Sequence, residues 1–150
     1  MISQQDIIEL CNSAANAGFN VNANALKLLV WNAGLQTHIP LVLPANSAAV
    51  YIFKWNDNYL KVGKVNSNSH ARYQSHHYNP DSSRSNLSQS LLSDIEFQAL
   101  LGDRYVGEWI KVNTTRYNIL IPSSLGKNFV HFAEAFFILK CNPRFENIRV

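Results

Sequence analysis

Residues 49–78 read AVYIFKWNDNYLKVGKVNSNSHARYQSHHY, and the organisation of the whole chain turns on them. AAVYIFK, at 48–54, is a run of β-branched, aromatic and small residues, which predicts a strand. Asn56-Asp57-Asn58 supplies turn chemistry, because short amide and carboxylate side chains bond their own backbone and tolerate left-handed φ. YLKVGKV, at 59–65, predicts the return strand, so the stretch opens on a β-hairpin. The hairpin runs directly into Arg72 and the adjacent His76 and His77. A plain sheet edge has no need of Tyr51, Lys61, Arg72 and His76 in this order, whereas a reactive site has.

Outward from the hairpin, Ser3 and Asp6 are placed to cap a first helix carrying Ile7, Leu10, Cys11 and Ala14 on one face. A second helix is predicted over 24–33, where Leu26, Leu29, Val30 and Ala33 form a stripe that ends at Gly34. Pro40 and Pro44 mark an extended link. After the hairpin, NPDSSRSNLSQS, from residue 79, is a polar, turn-rich loop leading into one helix over 86–101. Strands are predicted at 105–112 and 115–121, the latter reading TRYNILI. A last helix over 127–140 is apolar on wide faces and therefore central. Glu134 lies within it, where a carboxylate is costly unless paired, solvated or metal-bound.

A chain of 150 residues is long enough for one domain with a real core. The formal net charge is +3, and its distribution is uneven. Residues 1–48 carry Lys27 against Asp6 and Glu9, while every other base falls in the remainder, which points that part towards a polyanionic partner. Two cysteines, Cys11 and Cys141, far apart in sequence, make neither a disulfide framework nor a zinc site and fit a reducing, cytoplasmic setting. The opening MISQQDII lacks the basic and apolar regions of a signal peptide. The longest apolar stretch is short and contains Glu134, so no membrane span is expected.

Hydrolysis of a phosphodiester calls for a base to activate water, cations for the phosphate charge and often a divalent metal. Tyr51 and Lys61 lie on neighbouring strands of the predicted hairpin, Arg72 in the next segment, and His76 one helical turn beyond it. Glu134 supplies a carboxylate, and Mg2+ needs only one or two of these because it keeps several waters. Lys61 near Tyr51 would lower a phenol pKa that otherwise, near 10, leaves about one molecule in a thousand ionised at pH 7. Taken singly, Tyr51 reads as a packed aromatic, and Lys61, Arg72 and His76 as solvated surface groups. Glu134 has the salt bridge as its plainer alternative. Together and in order they read as a site.

On these residues the chain resembles the GIY-YIG nuclease superfamily. Ala49-Val50-Tyr51 stands for the first signature triplet and Lys61-Val62-Gly63 for the second. Arg72 in HARYQSHH falls on the family's arginine and Glu134 in HFAEAFFILK on its metal-binding glutamate. Asn147, with Asn142 as the alternative, stands for the closing asparagine. The resemblance covers about 48–78 and 129–147. His76 four residues after the arginine, and lysine in the second triplet, are similar to small restriction endonucleases of the family. The resemblance implies an α+β fold, a small antiparallel sheet of about three strands flanked by helices, over residues 48–150, preceded by an N-terminal helical extension at 1–47.

It further implies metal-dependent hydrolysis of DNA. Tyr51 would be general base, Arg72 would stabilise the transition state, and His76 would relay a proton or hold the phosphate. Glu134 would bind one Mg2+ beside the leaving oxygen, and Asn147 would orient the site by hydrogen bonding. Arg84, Arg104, Lys111, Arg116 and Lys127, between and around these elements, are candidate contacts to phosphates or guanine edges. A type II restriction role implies a homodimer, since one site per chain cuts one strand, and a cognate methyltransferase. The alternatives are a toxin, defence or repair nuclease without strong sequence preference, or a nucleic-acid-binding module of the same fold that has lost catalysis.

Overall fold

The computed structural model describes residues 1–34, 38, 42–82 and 86–146. Helix α1 (Gln4–Asn16) is followed by strand β1 (Lys27–Trp31), then the hairpin strands β2 (Ser47–Trp55) and β3 (Asn58–Val65). Helices α2 (His70–Gln74), α3 (Leu87–Leu92), α4 (Ile95–Leu101) and α5 (Val106–Asn113) come next. Strand β4 (Thr115–Pro122) and the long helix α6 (Gly126–Cys141) close the order. The four strands form one antiparallel sheet in the order β1-β4-β2-β3. The sheet thus has four strands where three were expected.

Both faces of the sheet are covered, which explains why residues 48–53 are buried without alternation. Val50, Ile52, Val62, Tyr117, Ile119 and Ile121 pack with α1 and α6 in one core. Tyr51, Phe53, Val65 and Leu120 pack with residues of α3, α4 and α5 in the other. The hairpin turns tightly through Asn56, whose φ is 50°, and the register slips between Phe53 and Lys54.

The N-terminal segment is part of this architecture rather than a helical extension beside it. Its α1 helix starts as its sequence predicts, with the Asp6 carboxylate accepting from the Ser3 backbone N–H at 2.6 Å and from its hydroxyl at 2.9 Å. Ile7, Leu10, Cys11 and Ala14 then enter the α6-side core. The helix predicted over 24–33 is instead a 3-10 turn, Ala23–Ala25, and strand β1. Leu28 packs against one core and Leu29 against the other; adjacent residues reach opposite faces in a strand, not in a helix.

Two further elements differ. The strand predicted at 105–112 is α5, where Val106, Trp109 and Ile110 are buried at helical spacing and Lys111 pairs with Glu108 at 2.7 Å on the outer side. The single helix predicted over 86–101 is broken in two. Asp94 stops α3 and caps α4, its Oδ1 accepting from the N–H groups of Glu96 at 3.1 Å and Phe97 at 3.3 Å. No helix among the described residues is long and apolar enough to cross a membrane. Cys11 and Cys141 are both free thiols.

Candidate active site

Tyr51 stands at the middle of β2, paired to Gly63 of β3 on one side and Asn118 of β4 on the other. Side chains directly opposite in antiparallel strands share a face, so Tyr51 and Asn118 both lie on the α3–α5 side, and the Tyr51 ring crosses Gly63. Gly63 makes this possible. A β-carbon built there would fall 2.2 Å from the Tyr51 hydroxyl oxygen and 2.5 Å from Cζ. The phenol occupies the volume that any other residue's side chain would need.

The short helix α2 follows β3 and delivers Arg72, whose Nε–H donates to the Tyr51 hydroxyl at 3.4 Å. Arg72 is exposed, Tyr51 fully buried. Burial drives the Tyr51 pKa up; Arg72 opposes this by charge and hydrogen bond, and Glu146 and Glu134 reinforce it. The net direction is upward. Tyr51 is therefore a neutral phenol at pH 7, and the expectation of a depressed pKa is corrected. The guanidinium facing Tyr51, with the same two carboxylates acting on it, is itself held charged.

Lys61 does not play the role expected of it. It is buried and its ammonium donates to the Glu146 carboxylate. Arg72, not Lys61, is the cation that hydrogen-bonds the phenol. Glu146 arrives because residues 144 and 145 lie alongside β3, with the Arg144 N–H donating to Tyr59 O and that of Phe145 to Leu60 O, each at 3.0 Å. Arg144 is in turn held to α4 by Asp94 and Glu96, both at 2.7 Å.

Glu134, on α6, pairs with Lys64 of β3. Its side chain keeps 21% exposure, so the carboxylate is both paired and wet, which removes the burial penalty that its apolar sequence neighbours imply. Glu134 and Glu146 both act on the Tyr51–Arg72 pair.

Of the two histidines, it is His77 whose ring packs on Tyr51, at 4.4 Å between centroids, and on Phe53 at 5.4 Å. His76 is half-buried at the start of the 3-10 turn His76–Tyr78. The interruption of α2 at Ser75 breaks the helical spacing that would have put His76 one turn above Arg72.

Three expected nucleic-acid contacts are used otherwise. Arg116 is 3% exposed. Its guanidinium donates to Asn118 Oδ1 at 3.1 Å, to the Tyr78 hydroxyl at 2.8 Å and to Tyr73 O at 2.7 Å, and lies over the rings of Phe53, Tyr73 and Tyr78. It is an internal structural cation. Arg104 donates to the carbonyls of Leu101 and Leu100 at the end of α4, and Lys111 is engaged with Glu108. Lys127 is exposed in the first turn of α6. Arg84 and Asn147 lie outside the described residues.

Lys64, His77, Asn118 and Glu146 join the site without having been singled out. Lys64 and Glu146 left no signal in the sequence, being ordinary surface types until β3 and the C-terminal segment meet. His77 and Gly63 were legible in part: Gly63 follows from placing it opposite Tyr51 in the hairpin.

Among the described residues no cluster of three or more His, Cys, Asp or Glu forms a ready metal cage. Glu134 offers a partly exposed carboxylate paired with Lys64; a magnesium ion takes hard oxygen donors, is satisfied by one or two carboxylates and retains its waters. No protein-family model, no curated protein and no solved structure matches the chain.

Proposed function

We propose that this protein is a metal-dependent endonuclease that hydrolyses DNA phosphodiester bonds, with Tyr51, Arg72 and Glu134 at its centre, as the resemblance to GIY-YIG nucleases implies. The observation that carries the reading is the hydrogen bond from Arg72 to the buried Tyr51 hydroxyl at 3.4 Å, with Glu134 of α6 paired to Lys64, the β3 residue next to Gly63. Tyr51, Arg72 and Glu134 come from β2, α2 and α6, far apart in sequence. A folded core does not by itself require an exposed guanidinium to donate to a fully buried phenol.

Arg72, always charged and forked, supplies two or more N–H donors to the phosphate as negative charge builds on it. Tyr51, neutral at rest, would first have to give its own proton to solvent before its oxygen could take one from the attacking water, and Arg72, donating to that oxygen, would stabilise the phenolate. Glu134 would hold magnesium, with Lys64 displaced or shifted. The ion, when bound, would supply positive charge at the leaving oxygen. Glu146 keeps Lys61 neutralised, so Arg72 and Lys127 are the exposed cations around the site assigned to DNA.

The path of the DNA follows from α6. Lys127, His131 and Glu134 fall on one helical face at spacings of one turn, and Lys127 and His131 are exposed. They form a short rail for phosphates leading to Glu134, and replace the buried Arg116 and the self-paired Arg104 and Lys111 as contacts.

The test is plasmid cleavage with magnesium, with Arg72→Ala and Glu134→Ala in parallel. Discrete fragments lost in both variants fit a restriction enzyme; a smear lost in both fits a nuclease of low specificity. Absence of magnesium-dependent cutting of DNA across varied sequences, with binding retained, would leave the catalytically inactive nucleic-acid-binding module.

A further inference from the structure

Two buried nitrogen atoms near Tyr51 have no hydrogen-bond partner among the described residues, His77 Nε2 and Asn118 Nδ2. Both residues are 1% exposed. Buried donors are almost always satisfied by protein or by ordered water, because an orphan costs its full desolvation.

The identity of both atoms as donors is fixed by their neighbours. His77 Nδ1 accepts from the Leu87 backbone N–H at 3.3 Å, so in the neutral ring the proton is on Nε2. The ring is neutral: burial, with Arg116, Lys61, Arg72 and His76 around it, holds the His77 pKa well below its usual range. Asn118 Oδ1 accepts from Arg116 Nε–H at 3.1 Å, which leaves the NH2 group as the unpartnered end. The two donors also share a neighbour. Asn118 is directly opposite Tyr51 in the sheet, and the His77 ring packs on the Tyr51 ring.

We propose that His77 Nε2–H and Asn118 Nδ2 together hold one internal water molecule beside Tyr51. Two donors and no protein acceptor require an acceptor of small size, and a water oxygen has two lone pairs to receive them. With both lone pairs engaged, its two O–H bonds point outward, next to Tyr51, which pairs with Asn118 across the sheet and packs on the His77 ring. A buried water makes about three hydrogen bonds, within a range of two to four, and the two donors supply two of them. The water site stands on packing alone. Its chemical use, as a fixed proton partner for Tyr51, rests on the nuclease reading.

A crystal structure of the full chain tests the site directly. The expected result is a solvent peak within hydrogen-bond distance of both nitrogens, together with a His77 Nε2–H proton that shows a water cross-peak by NMR. In Asn118→Leu both signals are lost. The denaturation midpoint of the Asn118→Leu, His77→Phe double variant then falls little below the lower of the two single variants, because both act through one molecule. A peak touching only one nitrogen, a bromide-replaceable anion in its place, or strictly additive midpoints would overturn the proposal. A protein that cuts no DNA but shows the water refutes the nuclease reading and leaves this site standing.

Discussion

Gly63 and Tyr51 occupy one volume: the tyrosine hydroxyl lies 2.2 Å from where a β-carbon on residue 63 would be. The glycine sits in a strand, where it weakens the sheet by lacking a side chain, and its retention there is explained by the phenol that crosses it.

Gly63→Ala is therefore expected to destabilise the fold by about 2 kcal/mol, since overpacking a tight core typically costs ~1–3 kcal/mol. The relevant comparison is chemical denaturation in two backgrounds. The loss should shrink when Tyr51 is replaced by alanine, and equal losses in both would show that Tyr51 is not what Gly63 accommodates.

Arg116 and Lys127 are expected to separate stability from binding. Arg116→Leu leaves Tyr78, Tyr73 and Asn118 without their donor and should lower stability by ~3 kcal/mol, at roughly 1–3 kcal/mol per stranded buried group. Lys127→Ala should leave the unfolding midpoint unchanged while weakening DNA binding and reducing its salt slope by about one. Melting curves and binding at several salt concentrations distinguish the two; a stable Arg116→Leu protein with weakened binding would reverse the assignment.

Lys64 competes with any cation for Glu134. Lys64→Met should lower the magnesium concentration needed for half-maximal cleavage, by about fivefold at most, because a partly exposed ion pair is worth ~1 kcal/mol or less. A rise in the requirement would mean that Lys64 assists metal binding instead.

His38 predicts an acid weakness. Its Nδ1 accepts from the Tyr78 hydroxyl at 3.2 Å, its Nε2–H donates to Thr114 O, and Tyr78 in turn accepts from Arg116. Burial, reinforced by the Arg116 charge, pushes its pKa down to about 4. The unfolded chain, near 6.5, then binds the proton more readily than the folded one. Stability should fall as pH drops from about 6.5 towards 4, by up to ~3 kcal/mol. His38→Gln should flatten that window in urea titrations taken at successive pH values, and an unaltered pH dependence would assign the effect to other groups, His77 first.

The hairpin, α1, β4 and α6 were legible from sequence because each carries its own punctuation: Asn56 at the turn, Ser3 and Asp6 at the cap, Pro122 at the strand end, and an apolar run ending at Asn142. Where local patterns were ambiguous, tertiary structure decided. KLLVW became β1 because a sheet covered on both faces gives Leu28 and Leu29 opposite cores to enter, and 106–113 became helix because Trp109 and Ile110 had a helical layer to join. The residue types of the candidate site, Tyr51, Arg72 and Glu134, could be picked out in order along the chain. Their partners could not. Lys61 with Glu146, Lys64 with Glu134, and His77 on Tyr51 depend on distances between segments dozens of residues apart, and Arg116 turned from a surface cation into a buried one because β4 lies inside the sheet. Sequence determines what each side chain is able to do; only the packing of remote elements decides which charges meet, which are neutralised and which face water.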